Sequence, residues 1–245
     1  MITKITSATN PIIKDSLKLK QAKNKKENDL FYIEGYHGFE MAKMYGDIAY
    51  IISTKEEEID DVDQYIVPPF IIEKLSENKN SQGIITYCHL IKEKETSHKK
   101  IIYLDGVSDP GNVGTIIRTC VAFGLTDIIF SSNCASIFNS KVISASQGSI
   151  FNINYSIGDI NTLKNLKNNG YPLIATTLSE KSISLNKFKL DGDKFVLIMG
   201  NEANGISDKI IDISDHLVKI DIQAIESLNV AIATGIFIYQ LLNNK

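Results

Sequence analysis

The sequence is poor in several features that would point to particular classes of protein. It contains no tryptophan, five prolines and three cysteines in 245 residues. The cysteines, Cys88, Cys120 and Cys134, include no Cys-x-x-Cys pair, and an odd number does not suit a disulfide framework. We therefore expect reduced thiols, a cytoplasmic location and no metal site. No apolar run reaches the ~18–20 residues of a membrane span, and the residues after Met1 lack the apolar centre of a signal peptide.

Arginine is almost absent, and positive charge is unevenly distributed. Of the 26 basic residues, 25 are lysine and only Arg118 is arginine. A guanidinium group offers a planar fork of donors for phosphate or carboxylate that an ammonium group lacks, so Arg118 is a candidate functional residue. The formal net charge is −3, yet residues 1–26 hold seven lysines and one Asp. We interpret this stretch as a basic arm that follows phosphate groups, with a soluble lysine-rich helix as the alternative.

The first third of the chain alternates short helical and extended patterns. We predict helices over 10–20, 35–45 and 68–75, and strands over 30–33, 48–53 and 83–87. The acidic run 55–63 is typical of a solvated helix face. Residues 92–100 contain no apolar side chain, which indicates a linker. We therefore predict an N-terminal domain over 1–91, a linker over 92–100 and a C-terminal domain over 101–245.

The remainder alternates apolar strands with amphipathic helices. Strands are predicted at 101–104, 127–131, 150–153, 173–176, 195–199 and 217–220, and helices at 113–123, 140–146, 160–168 and 228–242. Apolar strands that alternate with helices predict an α/β domain with a parallel sheet covered on both faces. In such sheets, ligands bind at the carboxyl ends of the strands.

Three segments after predicted strands are rich in glycine and polar side chains. In the first, from Leu104 to Arg118, glycines permit a tight turn before a helix for which Asn112 is a natural N-cap. Arg118 follows six residues later, about 120° around the helix axis from Asn112. The second segment places Glu202 on a loop directly after a strand. In the third, Ser227 and Asn229 precede the last helix, where capping is the simpler role.

Together, the three segments resemble the motifs of the SpoU (TrmH-like) class of RNA 2′-O-ribose methyltransferases, in the SPOUT superfamily. The first matches Asn-x-Gly-x-x-x-Arg, the second Gly-x-Glu-x-x-Gly-x-Ser and the third Glu-Ser-Leu-Asn-Val. The matching residues are Asn112, Gly114 and Arg118; Gly200, Glu202, Gly205 and Ser207; and Glu226, Ser227, Leu228, Asn229 and Val230. The resemblance covers about residues 100–243. Residues 31–37 and 81–84 resemble, less specifically, the family's accessory substrate-binding domain, itself similar to small ribosomal proteins.

The resemblance implies S-adenosylmethionine as methyl donor and a ribose 2′-hydroxyl of rRNA or tRNA, rRNA being favoured, as acceptor. It also implies a deep trefoil knot, a homodimer and no membrane association. Carried over by position, the catalytic residues are Arg118, Asn112, Glu202, Ser227 and Asn229. The cofactor-binding residues are Thr176, Gly200, Ile220 and Leu228. Since a guanidinium is a poor base, the proton acceptor is left open between Arg118, Glu202 and an RNA phosphate.

One departure from the family pattern bears on the donor site. The family has Ile-Pro-Met and a glycine before the third motif, where this chain has Ile220-Asp221-Ile222 and no glycine. Asp221 has an N–H group and a freer φ than proline. This departure favours an alternative function, a non-catalytic RNA-binding or ribosome-assembly protein that retains the fold. A nicotinamide-dependent Rossmann enzyme is disfavoured because the glycine fingerprint is missing.

Overall fold

The computed structural model describes residues 1–96, 98–224 and 226–243. The residues outside these ranges are Ser97 of the predicted linker, Ile225 just before the third motif, and the last two residues of the predicted C-terminal domain. The chain divides into two compact units. The first unit contains residues 1–91 and 138–151, and the second unit contains residues 92–137 and 152–245. The grouping of residues 138–151 with the first unit has no counterpart in the sequence-based division.

The part of the first unit that precedes residue 91 is a sheet with helices. Its elements are β1 (Ile2–Lys4), α1 (Pro11–Lys18), α2 (Ala22–Asn28), β2 (Leu30–Glu34), α3 (Tyr36–Tyr45), β3 (Ile48–Ser53), β4 (Asp63–Ile66), α4 (Pro69–Leu75) and β5 (Ile84–His89). The strands form a five-stranded sheet in the order β1-β4-β3-β5-β2. Ile52, Ile71 and Tyr87 belong to its buried core. Burial of these side chains is the main stabilising contribution to the unit.

Residues 1–26 fold as part of this unit, with β1 in the sheet and α1 and α2 as helices, and their binding to phosphate groups stays a prediction. β1 pairs in parallel with β4, with Ile2 opposite Gln64. Ile13 of α1 and the following Leu19 are fully or almost fully buried. A sequence rich in lysine can still fold in this way because α1 keeps its apolar side chains on one face.

Lys25 illustrates why lysine count alone is a poor guide to phosphate binding. Its side chain is buried, and its Nζ donates a hydrogen bond to the Phe138 carbonyl at 2.7 Å. The ammonium group also lies 4.9 Å from the centre of the Tyr32 ring. Burial lowers the pKa of Lys25. By contrast, Lys14 and Lys26 are exposed and can meet a phosphate.

The acidic run also differs from its prediction. Residues 55–62 form bends and irregular backbone instead of a helix, and residues 63–66 form β4, which was not predicted. Only Gln64 of this strand is buried. The sequence of the strand, DQYI, does not alternate apolar and polar residues. The strand exists because it pairs on both sides, with β1 and with β3. Such long-range pairing is not encoded in local propensity.

Elements from residue 100 onward follow the alternating pattern. They are β6 (Lys100–Asp105), α5 (Pro110–Ala122), β7 (Asp127–Phe130), α6 (Ser140–Ser146), a 3₁₀ helix (Ser149–Asn152), β8 (Asn154–Ile157), α7 (Ile160–Asn168), β9 (Leu173–Thr176), β10 (Ile183–Ser184), β11 (Phe195–Gly200), α8 (Asp208–Ile213), β12 (His216–Lys219) and α9 (Val230–Asn243). Segment 150–153 was predicted as a strand. It lies mostly in the 3₁₀ helix, and the strand follows at β8.

The sheet of the second unit has seven strands among the described residues, in the order β10-β12-β9-β11-β6-β7-β8, and each pair is parallel. β11 is buried along its whole length, as expected of a central strand covered on both faces. The predicted α/β class with a parallel sheet is therefore confirmed. Across residues 1–96, 98–224 and 226–243, no helix is long and apolar enough to cross a membrane.

Candidate active site

Two neighbouring strands, β6 and β11, deliver two of the predicted motifs to one edge of the sheet. Gly200, at the end of β11, pairs with Asp105 at the end of β6. The loop after Gly200 turns back at once, because the backbones of Asn201 and Gly205 exchange two hydrogen bonds of 2.9 Å. A Cβ atom on Gly200 would lie 2.3 Å from the Gly205 carbonyl carbon, so the turn requires glycine here. Asn201 then donates from Nδ2 to the Gly106 carbonyl at 2.7 Å, which ties the two loops together.

Helix α5 begins earlier than predicted. Asp109 is its N-cap and accepts a hydrogen bond from the Asn112 N–H at 2.8 Å, with Pro110 at the first helical position. The prediction that Asn112 caps the helix is therefore wrong. Proline at the first helical position is a common start signal, since its missing N–H has no partner there anyway. Because the backbone of Asn112 is held by Asp109, its side chain is available for other contacts.

The side chains of Asn112, Glu202 and Asn229 form one hydrogen-bonded network. Asn112 Nδ2 donates to Glu202 Oε1 at 3.0 Å, and Asn229 Nδ2 donates to Asn112 Oδ1 at 2.8 Å. The Asn229 Oδ1 atom accepts from the backbone N–H groups of Ala231 and Ile232 and so caps α9. One side chain from each predicted motif thus meets at the same place.

Glu202 is held as an ionised carboxylate by the groups around it. The backbone N–H groups of Ser108 and Asp109 approach its two oxygens at 3.4 Å, in addition to the donor from Asn112. Burial by itself would raise the pKa of Glu202, but these hydrogen bonds hold the pKa below its usual value. A carboxylate with a lowered pKa is a weaker base, so the environment favours an orienting role for Glu202.

A cavity of about 420 Å³ lies next to this network, within the second unit. Each of the four residues predicted to bind the cofactor lines it: Thr176, Gly200, Ile220 and Leu228. Ser227 and Glu202 line it as well, together with the apolar side chains of Leu178, Val230 and Phe237. Over the described ranges, no group of three or more His, Cys, Asp and Glu side chains is arranged to hold a metal ion.

Arg118, like Ser227, is a predicted catalytic residue that lies outside the hydrogen-bonded network. It is exposed on α5, nearly two turns after Asn112, and makes no hydrogen bond or ion pair with any described residue. An exposed guanidinium without a protein partner keeps its five donors for a ligand.

The altered segment before the third motif has its own anchor. Ser184 of β10 donates a hydrogen bond from its hydroxyl group to the Asp221 carboxylate. On either side of Asp221, Ile220 and Ile222 line the cavity. The departure from the family pattern therefore replaces proline with a residue that is fixed by a side-chain hydrogen bond.

Three residues of the site were missed by the sequence analysis. Asn201 accepts hydrogen bonds from the backbone of residues 203 and 204 as well as donating to Gly106, and Asp105 accepts from the Ser207 N–H at 2.8 Å. Asp109 is the third, as the cap of α5. Asp and Asn directly after a strand or before Pro are turn and capping signals, and these could have found all three.

The chain matches the model of the SpoU rRNA Methylase family over residues 99–239. It is 31% identical to a 23S rRNA guanosine 2′-O-methyltransferase of Bacillus subtilis, over 97% of this chain and 98% of that protein. It is also 31% identical to a tRNA (guanosine(18)-2′-O)-methyltransferase of Aquifex aeolicus, over 57% of this chain and 67% of that protein.

Among solved structures, the chain is similar to an AdoMet-bound rRNA methyltransferase from Sinorhizobium meliloti. The TM-score is 0.88 at 26% identity, and the match covers 98% of this chain and 97% of the other. Both the match to the family model and the full-length relative agree with the three motifs that meet at the sheet edge. The chain therefore belongs to the SpoU rRNA methylase family.

Proposed function

We propose that this chain transfers the methyl group of S-adenosylmethionine to a ribose 2′-hydroxyl group of RNA. The observation that carries the proposal is the hydrogen-bonded network of Asn112, Glu202 and Asn229 beside the 420 Å³ cavity. Side chains that served only their own loops or helix ends would have no reason to bond to one another across 90 or 117 residues of sequence. The family of the chain and the AdoMet-bound structure similar to it support the same activity.

The cavity is suited to the methyl donor in size and lining. Its volume falls in the ~300–1,000 Å³ range of small-molecule sites, and it combines apolar side chains with the backbone ends of β9 and β11. Thr176, Gly200, Ile220 and Leu228 are the residues that we propose hold S-adenosylmethionine. When bound, its sulfonium supplies an electrophilic methyl group. The task of the protein is then to orient the attacking ribose oxygen and to manage its proton.

Arg118 is proposed to bind the RNA at the reacting nucleotide. Its exposed guanidinium can grip a phosphate with two parallel hydrogen bonds and stabilise negative charge that develops on the ribose oxygen. With a pKa above ~12, it is not suited to remove the proton. The lowered pKa of Glu202 also makes that carboxylate a poor acceptor. Because a phosphodiester is a weaker base than a carboxylate, the proton acceptor is left open between Glu202 and the adjacent RNA phosphate, and Asn112, Glu202, Ser227 and Asn229 are proposed to orient the ribose.

A guanosine of large-subunit rRNA is the substrate that we propose. The support is the relative from Bacillus subtilis, which is similar along its whole length. The test is transfer of radioactive methyl groups to rRNA from a deletion strain, with the modified ribose mapped by primer extension. We expect transfer to RNA and none to DNA of the same sequence, because DNA lacks the acceptor hydroxyl. Equal transfer to DNA would contradict the ribose assignment.

The alternative function is that of a non-catalytic RNA-binding or ribosome-assembly protein, and the altered segment at Asp221 is the feature that favours it. Titration calorimetry with S-adenosylmethionine separates the two functions. Binding of the donor together with methyl transfer supports the enzyme, whereas RNA binding without donor binding supports the alternative. The hydrogen bond from Ser184 to Asp221 favours the enzyme, because it can fix the cavity wall without a proline.

The proposal extends to the chain's organisation. We propose that residues 1–91 bind the RNA substrate, joined by the linker 92–100 to a methyltransferase domain over 101–245 that carries a deep trefoil knot. The support for the knot is the match to the SpoU family model over residues 99–239. An rRNA substrate and unpaired cysteine thiols support a cytoplasmic location.

A homodimer is the last part of the proposal. Ile232, Ile236 and Tyr239 follow one another along α9 at helical spacing and are 58%, 39% and 59% exposed. Phe123, at the end of α5, packs edge-to-face on Tyr239 and extends this apolar stripe. Its burial against a second copy would remove apolar surface from water. Ile236→Lys should convert a dimer in sedimentation velocity to a monomer; a wild-type chain that sediments as a monomer would contradict the dimer.

A further inference from the structure

The first unit contains a cavity larger than the one beside the motif network. Its volume is about 740 Å³, and every residue that lines it belongs to the first unit. The wall comes from the end of β2, the loop between α4 and β5, and helix α6. A cavity of this size falls within the ~300–1,000 Å³ of small-molecule sites. No residue of the three motifs lines it, and neither does any of the four residues predicted to bind the methyl donor.

One wall of this cavity is fixed by hydrogen bonds. The Glu34 carboxylate accepts from the Glu77 N–H at 2.8 Å and from Asn78 Nδ2 at 2.9 Å, and also from the hydroxyl of Ser76. The carboxylate is therefore held in place before any ligand arrives. A preorganised polar wall reduces the entropy lost on binding.

The adjacent turn is fixed in the same way. Gly35 has φ +87°, a conformation that other residues rarely adopt. Gln82 Oε1 accepts the Tyr36 N–H at 2.9 Å and would lie 2.8 Å from a Cβ atom on Gly35. Only glycine lets the Gln82 side chain approach this closely, so the turn and the cavity wall depend on each other.

The chemistry of the cavity matches one nucleotide. Ile33 and Ile143 give it an apolar surface against which a base can pack. Glu34 supplies acceptors for base N–H groups. Lys79 and Lys141 are exposed cavity residues, and neither makes an ion pair or side-chain hydrogen bond with any residue in the described ranges. Two ammonium groups without a partner among the described residues, in the same cavity as a carboxylate, suit a ligand that carries both a phosphate and amino-bearing base edges.

We propose that this cavity binds a single unpaired nucleotide of the RNA substrate, with its phosphates on Lys79 and Lys141 and its base edge toward Glu34. The inference rests on the proposed RNA substrate and adds a second point of recognition, outside the methyl-transfer site. The nucleotide must be unpaired because a base within a duplex has no free Watson–Crick edge to present. A free mononucleotide has the same chemistry and is the alternative source of the ligand.

The test measures RNA affinity of the intact protein in a series of salt concentrations. The probes are a 12-nucleotide single-stranded RNA of mixed sequence and the four nucleoside 5′-monophosphates. The variant is Lys79→Gln with Lys141→Gln. The matched control is Lys164→Gln with Lys209→Gln, which removes the same charge from exposed positions of the second unit. A second variant, Ser144→Phe, places a large side chain in the cavity without changing its charge.

We expect the Lys79/Lys141 variant to bind the RNA about tenfold more weakly at 0.1 M salt. Its log–log salt slope should fall by about 1.4, because each phosphate contact contributes ~0.7 for a single strand. Ser144→Phe should also weaken RNA binding. Its log–log salt slope should stay as in the wild type, because this variant removes no charge. Affinity for S-adenosylmethionine and the melting temperature should stay as in the wild type, and in methyl transfer the KM for RNA should rise while kcat is kept.

Three outcomes would overturn the inference. These are an unchanged slope in the Lys79/Lys141 variant, an equal loss in the Lys164/Lys209 control, or tight binding of a free mononucleotide that the RNA cannot displace. Failure of the proposed function has a different signature, since the wild-type protein would then transfer no methyl group to RNA. Wild-type transfer with unaffected variants would reject only the nucleotide site.

Discussion

Asn229 donates a hydrogen bond from Nδ2 to Oδ1 of Asn112 at 2.8 Å, although the two residues lie 117 positions apart. The acceptor belongs to the first turn of α5 and the donor immediately precedes α9. Asn112 also donates to Glu202, so its amide is satisfied on both sides and its orientation is fixed. The amide of Asn112 is therefore the centre through which the three motifs are held together.

Substitution of the central amide tests this arrangement. In Asn112→Ala, Glu202 loses a donor and Asn229 loses an acceptor, so both side chains become free to turn away. We expect kcat for methyl transfer to fall at least ~10-fold, because misplaced orienting groups cost rate more than binding. The affinity for S-adenosylmethionine, measured by calorimetry, should change little. Thr115→Ala, one turn further along α5, is the control, and equal kcat in the two variants would contradict the prediction.

The pH dependence of stability reports on Glu202. Since the pKa of Glu202 in the folded protein lies below its ordinary value of 4.5, the ionised carboxylate favours the folded state above that pH. This contribution is lost as the pH falls below 4.5 and through the lowered pKa. We expect the free energy of unfolding in urea to decrease more between pH 5 and pH 3 in the wild type than in Glu202→Gln.

The matching control for the pH series is Glu180→Gln, which removes an exposed carboxylate outside the network. That variant should follow the wild-type curve. If Glu202→Gln lost stability with acid as steeply as the wild type, the hydrogen bonds around Glu202 would not be holding it in the ionised form.

The second sheet was more predictable from sequence than the first. β9 and β11 consist almost wholly of buried apolar residues, and runs of that kind between helices indicate parallel strands. β4 was missed because pairing with β1 and β3, and not its own side chains, defines it as a strand. The prediction of a strand at residues 150–153 was wrong for a local reason. Gln147 and Gly148 both adopt positive φ, which redirects the chain into a 3₁₀ turn that also buries Ile150.

The candidate site also has features that could be predicted from the sequence and features that could not. Motif spacing was sufficient to select Asn112, Glu202 and Asn229, which the structure joins by hydrogen bonds. The spacing could not reveal that Asp109 would take the capping role, since Asp and Asn both cap helices and the decision depended on Pro110. The contact between Ser184 and Asp221 was also beyond the sequence, because it depends on the pairing of β10 with β12.

That contact gives a prediction for donor binding. In Ser184→Ala, Asp221 loses its partner and the cavity wall formed by Ile220 and Ile222 becomes less fixed. A hydrogen bond of this kind contributes ~0.5–1.5 kcal/mol, so the dissociation constant for S-adenosylmethionine should rise about 2- to 10-fold. Ser184→Thr keeps the hydroxyl group and should bind the donor like the wild type. Unchanged calorimetric affinity in Ser184→Ala would remove Asp221 from the donor site.

Gly200 should be intolerant of even a methyl group. In Gly200→Ala, the new Cβ would lie 2.3 Å from a backbone carbon of the returning loop, so backbone must shift. We expect the free energy of unfolding to fall by about 3 kcal/mol or more. The control is Gly235→Ala in α9, where the nearest atom is 3.6 Å away and a helical alanine should stabilise by ~0.5–1 kcal/mol. Equal melting temperatures for the two variants would contradict the close approach at Gly200.

Arg118→Lys replaces the single arginine with lysine, which has the same charge. The variant therefore tests whether the guanidinium group itself is needed. Because Arg118 is exposed and makes no hydrogen bond or ion pair with the described residues, the variant should keep the melting temperature and the affinity for S-adenosylmethionine. Lysine cannot present two parallel donors to a phosphate or to the forming alkoxide. We therefore expect kcat to fall on the order of 10²-fold, measured in single turnover with saturating RNA so that binding does not contribute. Turnover near the wild-type rate would mean that positive charge alone is enough, and the assignment of Arg118 as the catalytic fork would be wrong.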